Sequence, residues 1–342
     1  MKMKLLKIGA VLCTALIMAG CGDKYERQKS SSGYKPKSQG APYELVVVAD
    51  HGVWDGQPGD TIRSIFYKQV PMVNRQETIY DVLRVLPNGF RKLVTRHPNV
   101  LILNVDKELE NTEIQLHYDV YASPQMVLVA NAPDNASMTG LIDTHRDEIL
   151  LLLEKAERDR DLANARQYGP KQIKKLIKEK FGFDMDVTPG FTVRSDKPDF
   201  LWMSYEMPVS SQGIIIYTYP FSGLKDFTEE NLLRRRDEFA ALIPGGNPGS
   251  HMATNPEFTE MLYKQINGRS WSEMHGFWDV TGDFMGGPYV NYSTIDVANQ
   301  RVVAIDFYVY SPSTQNTKMS QRNYKKQLEH FIYSVKIPEI IE

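Results

Sequence analysis

The chain has 342 residues, with 40 Lys and Arg against 42 Asp and Glu, a formal charge of −2, and 42% hydrophobic residues. That length allows a large core and more than one domain, and the near-neutral balance speaks against a surface built for nucleic acid. With only two cysteines, Cys13 and Cys21, no disulfide framework is available and the fold must be held by its apolar core.

Lys2, Lys4 and Lys7 form a short basic start, an apolar run follows from Ile8 to Met18, and Ala19-Gly20 precede Cys21. This is the three-part form of a secretory signal over residues 1–20. Such a run reaches about 16 Å as a helix, roughly half of a hydrocarbon core, so it predicts a removed signal and not a permanent span. Removal takes three lysines with it and moves the formal charge to −5.

Met18-Ala19-Gly20-Cys21 resembles the lipobox of bacterial lipoproteins, with methionine where leucine is usual. The resemblance implies that Cys21 becomes the first residue, carries lipid on sulfur, and anchors the chain in the cell envelope. An ordinary signal with an incidental cysteine is the alternative. Two or three acyl chains exceed the single chain that gives only marginal membrane binding. From Gly22 to Gly40 the composition is polar, with almost no aliphatic residues, so 21–40 reads as a flexible tether. An irregular arm packed around Tyr25 and Tyr34 is the other reading.

Tyr43–Ala49 predicts a compact apolar strand, and Pro58 then opens a helix carrying Ile62, Ile65, Phe66 and Val70. "ETIYDVLRVLP" reads as a strand, "PNGFRKLVTRHPN" as a short helical connection, and "NVLILNV" and "QMVLVANAP" as two further strands. A long helix is expected from about Ser137, with Ile142, His145, Ile149, Leu152 and Ala156 on its apolar face. His145 on that stripe reads as a hydrogen-bonded core histidine. Pro170 restarts a helix through Ile173, Leu176 and Ile177, which Gly182 stops.

Short strands follow, the last near Phe200–Glu206, and "GIIIYTYPF" is the strongest strand of the second half. Asp226 and Glu229 have capping-box spacing for a helix reaching Leu242. Strands are expected near Tyr289–Thr294 and Val302–Tyr310. A last amphipathic helix carries Tyr324, Leu328, Phe331, Ile332 and Val335. The fold class is therefore α+β, with mixed sheets and packed helices, an N-terminal α/β subdomain over 41–182 and a C-terminal α+β subdomain over 183–342. Two α/β sandwiches are one form this could take.

No serine-hydrolase elbow, zinc-protease helix, Walker loop or dinucleotide fingerprint occurs, and neither a cofactor nor a metal site is expected. Two loops carry chemistry-bearing residues. "DHGVWDGQPGD" holds Asp50 and His51 with Asp55 and Asp60 after the first strand, where α/β proteins often bind ligands; a sharp turn into a helix explains the same glycines. "WSEMHGFWDVTGDFMGGPYV" places Trp271, Glu273, His275, Trp278, Asp279, Asp283 and Tyr289 in one glycine-broken segment. Aromatic platforms beside carboxylates suit a sugar or peptide, and paired carboxylates suit glycoside cleavage. A bulky plug at a domain junction has the same composition. Arg234-Arg235-Arg236, among acidic neighbours, reads as a solvated mixed-charge face.

The stretches "YELVVVADHGVWDG", "HPNVLILNV", "LLLLEKAERDR" and "WDVTGDFMGGPYV" resemble a Bacteroidota family of lipoproteins with a domain of unknown function, family 4837, from Tyr43 to the C-terminus. The resemblance implies an envelope lipoprotein and supplies no reaction and no binding residues. The expectation is thus a lipid-anchored protein of the cell envelope, in the outer membrane with its face open. It is expected to bind an envelope protein or glycan or to organise an assembly, and not to be an enzyme. The alternative is an envelope hydrolase or carbohydrate-binding protein using the 271–290 loop.

Overall fold

The computed structural model describes residues 34–312 and 320–338. The expected signal, Cys21 and the tether up to residue 33 lie outside the described residues. Among those described, no helix is long and apolar enough to cross a membrane.

The first half is built on strand β1 (Glu44–Val48), buried along almost its whole length. Helices α1 (His51–Trp54) and α2 (Gln57–Phe66) follow, with Pro58 in the first turn of α2 as its fixed φ favours. Strands β2 (Asp81–Val85), β3 (Asn99–Val105), β4 (Glu113–Tyr118) and β5 (Met126–Ala132) complete a sheet in the order β2-β1-β3-β5-β4. The first four strands in that order run parallel and β4 pairs antiparallel at the edge. Parallel strands covered on both faces become continuous apolar runs, which is how β1, β3 and β5 read. On one face Leu45, Leu101 and Leu128 meet Ile62, Phe66 and Ile142; on the other Val46, Val100 and Val127 are covered by Phe90 and Val94 of the 86–97 connection.

The long helix expected from Ser137 is two helices. Helix α3 (Asn135–Thr144) begins where the Asp134 carboxylate accepts the Ser137 N–H at 2.8 Å, and α4 (Arg146–Tyr168) follows a break at His145. His145 is therefore a half-buried junction residue paired with Glu148, not a core histidine. Its place on the apolar stripe held only for an unbroken helix.

The second half opens with α5 (Lys171–Phe181), stopped by Gly182 at φ 74, a left-handed conformation that glycine adopts without strain. Strands β6 (Thr192–Lys197), β7 (Phe200–Met207) and β8 (Ser210–Pro220), helix α6 (Glu229–Ala240), strands β9 (His251–Ile266), β10 (Arg269–Thr281), β11 (Gly286–Asp296) and β12 (Arg301–Tyr310), and helix α7 (Gln321–Phe331) follow. The sheet order is β6-β7-β8-β12-β11-β10-β9, antiparallel throughout. The fold is α+β.

Helices α5 and α7 cover one face of this sheet and α6 the other. Helix α5, read from the sequence with the first half, buries Ile173, Ile177 and Phe181 in the second core. Helix α4 belongs to both halves: Ile149 and Leu153 pack in the first core, Leu162 and Ala165 in the second. The capping box at Asp226 does not form, because that carboxylate instead accepts Ser222 N–H and Oγ–H at 2.6 and 2.8 Å; α6 starts after Thr228.

The expected 271–290 loop is a β-hairpin. Residues 269–281 are strand, and the chain turns only at 282–285 before β11. Gly276 sits inside β10 at a bulge, where an added Cβ would meet the Phe258 carbonyl at 2.7 Å, so this glycine marks close backbone approach and not a loop. Gly213 in β8 has a similar role. The Tyr308 ring lies over it from the opposite strand, and its hydroxyl accepts Trp202 Nε1–H at 2.8 Å. Gly213→Ala should displace that ring and cost about 1–3 kcal/mol by overpacking, read as a lowered denaturant midpoint; an unchanged midpoint would show that the ring is free to move.

Candidate ligand cleft between the two halves

The residues singled out in the sequence are dispersed. Asp50 and His51 lie exposed at the start of α1, and His51 Nδ1 is 3.8 Å from Asp55 Oδ2. Trp271 is buried in the core on the α5/α7 face of the second sheet. Trp278 is buried on the opposite face, its Nε1–H donating to Val309 O at 3.2 Å. Asp279 is exposed on β10, and Asp283 in the hairpin turn accepts the Phe284 N–H. Alternation along β10 separates the two tryptophans, and of this segment His275 and Glu273 enter a polar cluster between the halves.

That cluster borders a cleft of about 450 Å³ between the first half and the second. Its walls come from Tyr43 before β1, Tyr80 before β2, the first turns of α4, Lys264 at the end of β9, and the outer face of α7. Helix α7 presents Tyr324, Leu328 and Phe331 to the sheet, while Lys326 and His330 meet α4. Residues three and four apart share a helix face, so Glu154 and Asp161 of α4 meet Lys326 and His330 of α7. Glu77 fixes the start of α7, accepting the Gln321 and Arg322 backbone N–H groups at 2.8 and 3.0 Å. A carboxylate there satisfies orphan donors and complements the helix dipole.

His330 lies between two acids. Its Nδ1 is 2.7 Å from Asp161 Oδ2 and its Nε2 3.2 Å from Glu154 Oε1. Both ring nitrogens thus donate, which requires the imidazolium. Burial alone would lower its pKa, but hydrogen bonds to Asp161 and Glu154 outweigh this and raise it. Burial alone would raise Glu154, yet Lys326 and His330 bring it down to about 2. Tyr43 donates its hydroxyl to Glu154 Oε2 at 3.1 Å. Lys326 Nζ lies 3.2 Å from Glu329 Oε2, and Glu329 Oε1 is 2.9 Å from Lys325 Nζ.

The network continues beneath the cleft. Lys325 Nζ lies 3.1 Å from His275 Nδ1, and His275 Nε2 lies 2.6 Å from Glu273 Oε1, which also meets Lys264 Nζ at 2.6 Å. A lysine ammonium only donates, so His275 Nδ1 accepts and Nε2 carries the proton toward Glu273. Arg322 closes the far side with Nη2 2.7 Å from Asp81 Oδ2.

Chemically the cleft is saturated. Half-buried Glu154 and buried Glu329 are each held against a cation, and Glu154 at about 2 is far from the range useful to a general acid near neutral pH. Among the described residues, no three His, Cys, Asp or Glu side chains converge as a metal set. The buried Tyr80 hydroxyl has no partner in the described residues, and its pKa is raised far above the ordinary value by burial and by Glu157 and Glu154. It remains a protonated, buried polar group on a residue of the cleft wall, where tyrosines and aliphatic side chains stand beside the charged side chains of α4 and α7. Such a surface fits binding. The sequence reading named only the apolar residues of α7; Glu154 and Asp161, seven apart on α4, were the signal that its charged face has a partner.

The fold is a two-sheet α+β architecture with α4 shared between the halves. Residues 170–334 match the family model described as Domain of unknown function (DUF4837), and residues 38–166 match Domain of unknown function (DUF8532). The boundary between the two matches falls at the α4–α5 turn, so the likeness to family 4837 expected from Tyr43 onward is confined to the second half, and the stretches quoted from the first half belong to the other match. No curated protein matches the chain. Among solved structures, a point mutant of the protein Mog1 is 11% identical with a TM-score of 0.29, over 45% of this chain and 90% of that one. The Saccharomyces cerevisiae Ran-binding protein Mog1p is also 11% identical, with a TM-score of 0.30 over 45% and 89%. These likenesses are too slight to carry an argument about this chain.

Proposed function

We propose that the chain is a lipid-anchored protein of the cell envelope, held through Cys21, whose folded portion binds a partner and does not catalyse. The anchor rests on Met18-Ala19-Gly20-Cys21 after a short apolar run. The single observation supporting binding over catalysis is the charge-saturated cleft, in which Glu154, Glu329 and His330 are all committed to one another's neighbours. The envelope partner is a protein or glycan offering an apolar surface to the tyrosine-lined walls. A hydrolase built from the 271–290 segment has less support, since Trp271 and Trp278 lie under opposite faces of the sheet.

Cys21→Ala should abolish metabolic labelling with fatty acid and move the chain from the membrane to the soluble fraction. Unchanged labelling and membrane retention would overturn the anchor.

A further inference from the structure

Strand β9 forms one edge of the second sheet and is long, with Leu262 and Tyr263 40% and 72% exposed. Edge strands present unpaired backbone groups that template pairing with another chain. Which groups face outward follows from the β9–β10 hairpin. Asn267 and Gly268 both have positive φ, 52° and 80°, and Ile266 pairs with Arg269 across them, the two-residue turn whose flanking pair is hydrogen-bonded. Hydrogen-bonded pairs then alternate along the ladder, so Leu262 and Lys264 bond toward β10. Thr259, Met261, Tyr263 and Gln265 aim their backbone groups at the open edge. The register is regular from Thr259 to Ile266 and shifts only beyond it, between Gly276 and Phe277.

We propose that this edge pairs antiparallel with β9 of a second copy of this chain, about a two-fold axis through Leu262. Because outward-facing residues must pair with outward-facing residues, the axis passes through a residue. An axis on Glu260 or Lys264 sets like charges against themselves, and one on Met261 or Tyr263 sets Glu260 or Lys264 against Leu262. The axis on Leu262 alone places Glu260 opposite Lys264 of the second copy, twice by symmetry. It joins Leu262 to Leu262, Met261 to Tyr263 and Thr259 to Gln265. Met261–Tyr263 and Thr259–Gln265 are then the hydrogen-bonded pairs, as the outward groups require. Opposite charges and apolar side chains facing each other across strands stabilise a pair, and like charges destabilise it. Glu260, Leu262, Tyr263, Lys264 and Gln265 are all exposed, and Lys264, whose ammonium holds Glu273, keeps 45% of its side chain accessible and can meet Glu260 of the second copy without leaving that pair. Such an interface is isologous, and it covers the edge.

The test uses the full chain. Its mass by sedimentation should be twice that of one chain, and Glu260→Lys, which sets lysine opposite Lys264, should halve it. In a chain with Cys13→Ala and Cys21→Ala, Leu262→Cys should oxidise to a covalent dimer, because the symmetry-related residues face each other directly. Gln265→Cys should not, its two copies being offset along the strand. A single-chain mass for the unaltered protein, or equal cross-linking at 262 and 265, would overturn the pairing.

Discussion

Replacing His330 with alanine is expected to destabilise the fold by about 3 kcal/mol, the scale of breaking one side of a buried ion pair. The substitution leaves Glu154 and Asp161, both on α4, without the α7 imidazole that pairs with each of them. The loss should also change how stability depends on pH. A histidine whose folded pKa lies above its ordinary 6.5 contributes stability that is fully present below 6.5 and is lost as pH rises through the folded value. Glu154, lowered from 4.5 to about 2, contributes above 4.5 and loses that contribution as pH falls through the folded value. The network is therefore strongest between 4.5 and 6.5. Denaturant midpoints across pH should fall above 6.5 in the unaltered chain and stay flatter in His330→Ala. Parallel curves would remove His330 from the network's titration.

Arg236→Ala should cost about 3–5 kcal/mol. Arg236 and Asp306 are both fully buried, joined by Nε–Oδ2 at 2.8 Å and Nη2–Oδ1 at 3.2 Å. The guanidinium also donates to Thr254 Oγ1 at 2.7 Å and stands 3.5 Å over the Tyr289 ring. Without it, Asp306 keeps, among the described residues, the Asn291 amide at 3.1 Å. Replacing both charges, as Arg236→Met with Asp306→Leu, should cost less than Arg236→Ala alone, since no uncompensated charge remains. Thermal unfolding of the single variants and the double variant reads this directly; additive losses would mean that the two side chains act independently.

Arg236 also shows where sequence reading stops. Its neighbours Arg234 and Arg235 do form a solvated face with Glu238, but a helix that lies across a sheet must turn one residue in three or four inward. Which arginine that is depends on where Asp306 sits in β12, seventy residues away. Elements with strong local signals were legible: the apolar strands β1, β3 and β8, the Pro58 start of α2 and the Gly182 stop of α5.

Elements whose order comes from partners were not. Strand β4 alternates exposed and half-buried positions and needs β5 to define it. Strand β9 carries charges along an edge, and only the Asn267-Gly268 turn announced its hairpin. The 271–290 segment read as a loop because glycines signal flexibility locally, whereas Gly276 and Gly287 make room for Phe258 O and Val309 O. The cleft was hidden for the same reason. Charged residues on α7 imply water until α4 is placed against them.

Calorimetry of the full chain at about pH 5.5, inside the window where Glu154 and His330 are both charged, tests the central claim that α4 and the α4–α7 charge network fuse the two halves into one binding unit. The result expected is a single unfolding transition whose calorimetric and van't Hoff enthalpies agree, and which broadens or splits in His330→Ala. Two separate transitions in the unaltered chain, with midpoints indifferent to His330, would contradict it.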